Sequence, residues 1–183
     1  MILITRWNSL GHRGDNTENL VNSINELYDK QNLALITKVP TPIKVIKIHL
    51  GKIVEAFFEE KSTVDYNGIV QGYGICFDSK ETNKNYLPLS NIHQHQIDYM
   101  NKFDCQKGYA FIICNFKKIG GFYLIPIETI NNFWNNSKKG GRKSIPVAGL
   151  NDRYIVKMKN GLPDYLDALN KYIDDKLKNK AIV

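Results

Sequence analysis

The residues with the clearest chemical potential lie in two short stretches, Ser62-Thr63-Val64-Asp65-Tyr66 and Cys76-Phe77-Asp78-Ser79-Lys80. Successive side chains of a strand alternate between faces, so Thr63 and Asp65 share one face, and Asp78 and Lys80 share a face of the next strand. If those strands pair, both carboxylates converge with an ammonium beside them. Two carboxylates make a hard oxygen site suited to Mg²⁺, which keeps several waters and leaves room for a phosphate oxygen. A lysine there orients an attacking water or stabilises charge on phosphoryl oxygens. The pattern is that of metal-assisted phosphodiester hydrolysis, although taken alone it also describes a solvated strand with a surface ion pair. The apolar run Gly74-Ile75-Cys76-Phe77 ahead of Asp78 favours the first reading, because charge at the end of a buried strand is costly unless paired or coordinating.

Other candidates surround this pair. Gln96 falls on a helix face with Ile92, Tyr99 and Phe103, where an apolar residue is expected. It is either a core glutamine bonded to backbone or a side chain reaching a metal-bound water or a phosphate. His93 and His95 flank it, but residues two apart point to different faces of a helix, which argues against zinc. Glu18 sits near the start of the first helix, either as a carboxylate favoured by the helix dipole or as a group bending toward the metal site. Lys138-Lys139-Gly140-Gly141-Arg142-Lys143 is either a solvated basic loop or, with its glycines and Arg142, a segment able to approach a phosphate backbone closely. Trp134, just before it, reads as core.

The elements that must position these groups can be traced from periodicity. Leu20, Ile24, Leu27 and Tyr28 predict a helix over 17–31, capped by Asp15 or Asn16. Strands are predicted over 33–38, 43–50 and 53–58, the last two forming a long hairpin that reaches away from the core. Residues 62–80 read as two strands turning at Asn67-Gly68, a strong hairpin signal. A helix over 91–104, strands over 108–116 and 122–127, a short helix over 129–134 and a last helix from Pro163 to Lys178 complete the chain. The sum is an α/β fold, a mixed sheet covered by helices, in one domain over 1–183.

Bulk properties agree with a globular protein, and its charge alone leaves nucleic acid, an anionic membrane and mere solubility open. The chain has 183 residues, 43% of them apolar, a formal net charge of +7 and a pI near 9.2. Such a surplus favours polyanionic partners through counterion release, although the abundant Lys, Asn and Ile also reflect compositional bias. No stretch approaches the ~20 apolar residues of a membrane span, and the start of the chain is too polar for a signal peptide, so a cytoplasmic location without membrane contact is expected. Cys76, Cys105 and Cys114 form no metal or disulfide pattern and read as buried thiols. No RNA-binding motif accompanies the charge.

Together these segments resemble the RecU family of Holliday-junction resolvases, from about His12 to Ile173. The resemblance is carried by Arg13-Gly14 with Glu18; Pro40-Thr41-Pro42-Ile43; Ser62 through Gly68; Phe77 through Thr82; Pro88-Leu89 with Asn91 and His95-Gln96; and Gly141 through Pro146. It implies a restriction-endonuclease-like core and a homodimeric, bacterial, nucleoid-associated enzyme that cuts four-way DNA junctions symmetrically, leaving 5′-phosphates. It further implies a Mg²⁺ site (one or two ions, with Mn²⁺ as a substitute) on Thr63, Asp65, Asp78 and Gln96. Lys80 would stabilise the transition state, with Glu18 beside the catalytic group. A stalk over about 43–59 would enter the junction, and DNA contacts would fall on Arg13, Lys38, Lys139, Arg142 and Lys143. Recombinase or branch-migration proteins are implied as further partners. The chain departs from the family at Asp78, where Glu is usual, at Ser79, where Ala is, and at Tyr73, where Arg is expected; the stalk is a few residues short. A second reading is therefore a junction-binding, recombinase-modulating protein with a weakened or inactive nuclease site.

Overall fold

The computed structural model describes residues 15–58 and 63–181. Its centre is a seven-stranded mixed sheet of β1 (Ala34–Lys38), β4 (Tyr66–Val70), β5 (Tyr73–Thr82), β7 (Tyr109–Phe116), β8 (Gly121–Pro126), β10 (Ile155–Lys159) and β11 (Leu162–Asp164), in that spatial order. Only β5 and β7 run parallel; the other neighbours are antiparallel. A parallel pair cannot be joined by a tight turn. The connection here passes through β6 (Tyr86–Pro88) and helix α2 (Gln94–Cys105).

Helices cover both faces. On one side α1 (Asp15–Lys30) buries Val21, Ile24 and Tyr28, and α4 (Leu166–Ala181) buries Leu169, Tyr172 and Ile173, against Ile75, Phe77, Phe111 and Ile113. On the other, α2 buries Ile97 and Met100, and α3 (Ile127–Lys138) buries Ile127 and Ile130, against Cys76, Ala110, Ile112 and Cys114. β5 and β7 therefore alternate between two apolar layers, as strands buried on both sides must. The expected α/β architecture of a mixed sheet between helices is present.

The hairpin over 43–58 is also present. Among the described residues β2 (Ile43–His49) and β3 (Lys52–Phe58) pair only with each other, and the described side chains of both are exposed, Leu50 at its tip to 87%. A lone two-stranded ribbon is marginal in water.

Several expectations need correction. Asn67-Gly68 does not turn: it lies within β4, and the reversal falls at Gln71-Gly72, whose φ values of 48° and 91° suit a two-residue type I′ loop. Gly68 is needed for another reason. A Cβ there would stand 2.4 Å from the Leu35 carbonyl oxygen, so glycine lets β1 approach. Residues 63–65 are not strand but an irregular lead into β4. α2 begins at Gln94, leaving His93 as its N-cap; α3 runs on to Lys138, and Pro163 belongs to β11 ahead of α4. β6 pairs with β9 (Ser144–Pro146) in a small separate ladder that periodicity did not predict, nor did it predict β10 and β11. Cys105 is exposed, unlike Cys76 and Cys114. The side chains of Asp15 and Asn16, proposed as caps, lie outside the described residues.

Candidate active site

β5 carries the centre of the site. Cys76, Asp78 and Lys80 alternate onto the α2 side, and Asp78 is fully buried at the point where the apolar run ends. A buried carboxylate must be met by donors, and Asp78 has three. Its Oδ2 accepts the Gln96 Nε2 amide at 3.0 Å and is paired with the Lys80 ammonium, while its Oδ1 accepts the main-chain N–H of Asp65 at 3.1 Å. Burial first, then the neighbouring charge of Asp65, pushes the Asp78 carboxyl up to about 7 against the opposing pull of Lys80.

Asp65 sits at the bend before β4. Its carbonyl accepts the Val39 N–H at 2.8 Å, tying the bend to the end of β1. Its Oδ2 accepts the N–H and the hydroxyl of Ser79 at 2.9 and 3.2 Å. The next residue, Tyr66, anchors the bend to α1 by donating to Asn22 Oδ1 at 2.7 Å. Burial, and then the charges of Glu18, Asp65 and Asp78, raise the Tyr66 phenol well above its usual range, so it stays a neutral donor.

The sequence-predicted residues divide accordingly. Asp65, Asp78, Lys80 and Gln96 are brought together. Thr63, partly buried, stands two residues upstream of Asp65. Glu18 faces Lys38 in an ion pair and makes no direct bond with the carboxylates among the described residues. The Lys38 ammonium, expected on DNA, is thereby paired within the protein. Arg13 lies outside the described residues. His93 and His95 do not point apart: because His93 is the N-cap and not a helical residue, the two rings stack with centroids 5.3 Å apart. Gln96 turns its donor, not its oxygen, toward Asp78.

Lys139, Arg142 and Lys143 are exposed on the loop between α3 and β9. The β6–β9 ladder brings that loop beside the chain leaving β5, where the Leu89 N–H donates to the Lys143 carbonyl at 3.1 Å. Two residues missed in the sequence appear here. Tyr86 carries Lys84 and Arg142 against its ring, at 5.1 and 5.9 Å from the centroid. Their signal was present: Lys84 and Tyr86 follow the D-x-K strand by a few residues. Trp134 is partly buried, packs against the apolar layer under α2 and α3 as expected, and donates to Gln94 Oε1 at 3.2 Å.

The donor inventory tests whether a divalent cation suits this place. Each carboxylate oxygen offers about two lone-pair sites. Asp78 Oδ2 and Asp65 Oδ2 already accept two donors each, whereas Asp78 Oδ1 accepts one and Asp65 Oδ1 none from the described residues. Counting donors from the described residues alone, spare capacity remains on one hard oxygen of each of two adjacent carboxylates. Among the described residues no cluster of three or more His, Cys, Asp or Glu could hold a metal. A cation held there would be met by two carboxylates and would keep several of its waters.

The sequence model of one protein family, described as Recombination protein U, matches residues 12–171. This chain belongs to the RecU family. It is 43% identical over 168 residues to Holliday junction resolvase RecU of Oceanobacillus iheyensis, covering 87% of this chain and 86% of that protein. Against the RecU of Limosilactobacillus fermentum the identity is 39% over 181 residues, 94% of this chain and 85% of the relative. Against that of Staphylococcus aureus it is 38% over 179 residues, covering 93% and 86%. Among solved structures, Archaeoglobus fulgidus Hjc, a Holliday junction resolvase, aligns over 61% of this chain and 77% of its own with a TM-score of 0.40 and 8% identity. Among the described residues no helix is long and apolar enough to cross a membrane.

Proposed function

We propose that this chain is a Mg²⁺-dependent endonuclease that resolves four-way DNA junctions as a homodimer. The observation that carries the reading is the convergence of Asp65, Asp78, Lys80 and Gln96 at one end of β5, in a chain of the RecU family.

Asp65 and Asp78 would hold the cation through their less occupied oxygens, with Thr63 at the approach. When bound, Mg²⁺ polarises a phosphoryl oxygen and acidifies a bound water. The protein's own contributions follow from its contacts. Gln96 and the Asp65 N–H fix the Asp78 carboxylate, and Ser79 fixes that of Asp65. Lys80, only partly exposed, places an ammonium where negative charge grows on the phosphoryl group, and low exposure strengthens that interaction. Lys84, Lys139, Arg142 and Lys143 give the strand leaving the site a cationic track. The β2–β3 ribbon forms the stalk that enters the junction centre. Two subunits match two strands of like polarity, since a two-fold substrate calls for a two-fold protein.

The test uses labelled four-way junction and matched linear duplex with Mg²⁺, Mn²⁺ or EDTA, beside Asp65→Ala. Metal-dependent, symmetric nicking of the junction alone, lost in the variant, is the expected result. Tight junction binding without cleavage would replace the enzyme by a junction-binding protein.

A further inference from the structure

Beyond the end of β5, two cations meet on one aromatic ring. The Lys84 ammonium stands 5.1 Å and the Arg142 guanidinium carbon 5.9 Å from the centre of the half-buried Tyr86 ring, within cation–π range. The three residues come from two segments, which the β6–β9 ladder unites by pairing Tyr86 with Pro146 and Pro88 with Ser144. Both cations are braced further. The buried Thr82 hydroxyl accepts the Lys84 N–H and donates to the Tyr86 carbonyl, each at 3.2 Å, closing the loop that carries Lys84. Arg142 Nε donates to the hydroxyl of buried Ser144 at 2.8 Å. The neighbouring cations Lys80 and Lys117 are neutralised by Asp78 and Glu81, whereas Lys84 and Arg142 have no carboxylate partner among the described residues. Two unpaired like charges brought to one ring repel, and an anionic backbone beside them removes that repulsion. The Nη edge of Arg142, left open by the Nε bond, and the three N–H of the Lys84 ammonium suit the non-bridging oxygens of a phosphodiester.

We propose that Lys84, Tyr86 and Arg142 form a backbone-phosphate site that sets the register of the DNA strand being cut, with Tyr86 as the positioning residue that presents the two cations. The proposal deepens the reading of Asp65 and Asp78 as a junction-cleaving site and rests on it. It also sets this pair apart from Lys139 and Lys143, whose side chains make no hydrogen bond, ion pair or ring contact among the described residues. Lys84 follows Lys80 by four residues, so at most about 14 Å of chain separates the two ammonium-bearing positions. The site can therefore hold a phosphate within a few nucleotides of the one at the carboxylates. Such a contact is made before and during the reaction alike, so it governs affinity and the choice of phosphodiester. Free lysine and arginine side chains lose rotamer freedom on binding. Here the Tyr86 ring, the Thr82 loop and Ser144 have already restricted them, which is preorganisation for the ligand.

Four-way junctions carrying one neutral methylphosphonate at successive positions of a strand test this. Binding is measured by competition in EDTA, and the cut is mapped with Mg²⁺. For the parent, one position or two adjacent ones should cost at least about tenfold in affinity, the scale of losing bonds to a charged group. In Lys84→Ala and Arg142→Ala that step should disappear from the profile, and cuts in the unmodified junction should spread to neighbouring phosphodiesters. Lys139→Ala should instead weaken binding at every position and keep the step. Tyr86→Phe should preserve the profile, whereas Tyr86→Leu, with both cations still present, should lower the step by about 2- to 5-fold. A parent-like step in Lys84→Ala and Arg142→Ala, or a Tyr86→Leu profile equal to that of Tyr86→Phe, would overturn the proposal. Lys84 and Arg142 are exposed, so their variants decide the site even if Tyr86→Leu fails to fold. A stepped binding profile without cleavage would remove the nuclease reading and leave the phosphate site standing, whereas failure to bind junction DNA would remove both.

Discussion

The main-chain N–H of Asp65 donates to Asp78 Oδ1 at 3.1 Å, and Asp65 Oδ2 in turn accepts the N–H of Ser79, the residue after Asp78, at 2.9 Å. Each carboxylate is gripped by backbone adjoining the other. The bend at Asp65 and the end of the apolar part of β5 are therefore one unit, and neither carboxylate can shift without dragging the other.

Asp78→Asn tests both function and stability. The variant keeps an oxygen for the Asp65 N–H but loses the charge that a cation and Lys80 require. Junction cleavage should fall by at least about 10²-fold, the scale of losing a charge-stabilising group at a reacting phosphate. The new amide NH₂ faces the Gln96 Nε2 donor and the Lys80 ammonium, which lose their acceptor in a buried place. The urea midpoint of the metal-free variant at pH 8 should therefore fall below that of the parent. An unchanged midpoint would mean that the ion pair adds nothing to the fold.

The raised Asp78 carboxyl gives a pH dependence of definite sign. Its value is pushed from 3.8 to about 7, so between those limits the folded chain holds a proton that the unfolded chain has released. Its contribution to stability is complete below 3.8 and is lost as pH rises through about 7. Metal binding needs the carboxylate, so the cation should displace that proton. Calorimetry in buffers of differing ionisation heat should find close to one proton released per Mg²⁺ near pH 6 and almost none above pH 8. Equal release at both would place the titrating group elsewhere.

The legible part of this fold was the part set by side-chain periodicity. Leu20, Ile24, Leu27 and Tyr28 marked α1, and Ile75-Cys76-Phe77 marked β5 because its residues face two apolar layers. Asn67-Gly68 misled because Asn-Gly favours a type I′ turn locally, whereas Gly68 is required by the close approach of β1, a neighbour distant in sequence. β6, β9 and β11 have three residues each, too few to show alternation. In the site, the acid and lysine types on β5 were readable, and so was Gln96 as an odd residue on an apolar face. The direction of its amide was not, since it depends on His93 being a cap and not part of the helix.

Gly68→Ala tests that close approach. The added methyl would meet the Leu35 carbonyl oxygen at 2.4 Å and Ile36 Cα at 2.8 Å, both backbone atoms that cannot rotate away. The expected loss is about 1–3 kcal/mol of unfolding free energy, as for other overpacking. It should also weaken metal binding, because β1 leads into the Val39 N–H that ties down Asp65. Gly72→Ala, with open space around it but φ 91°, should cost only about 1 kcal/mol through backbone strain and leave metal binding alone. Equal effects of the two would show that β1 yields easily.

Charge removal from the loop ahead of β9 should act on binding and not on chemistry. Alanine at Lys139, Arg142 or Lys143 should reduce the slope of log Kd against log salt for junction DNA by about 0.9 for each phosphate no longer neutralised. Turnover at saturating DNA should stay near the parent value. Lys38→Ala should change the slope less, because that ammonium is already paired with Glu18. A Lys38 effect as large as that of Arg142 would mean that DNA breaks the Glu18 pair on binding.

The stalk can be excised because its ladder is its own. Ile43 and Phe58 are paired across the base of the ribbon, and β2 and β3 share no ladder with the seven-stranded sheet. Replacing 43–58 with a short Gly-Ser turn should therefore leave the two apolar layers, and with them Asp65, Asp78 and Gln96, in place. The truncated protein should unfold cooperatively and bind Mn²⁺ like the parent. It should nonetheless lose most of its preference for four-way junction over linear duplex in competition binding, because phosphate contacts from the loop ahead of β9 would be made without regard to branching. Retained preference would move junction recognition onto the body of the protein, whereas loss of Mn²⁺ binding would show that the ribbon also braces the lead into Asp65.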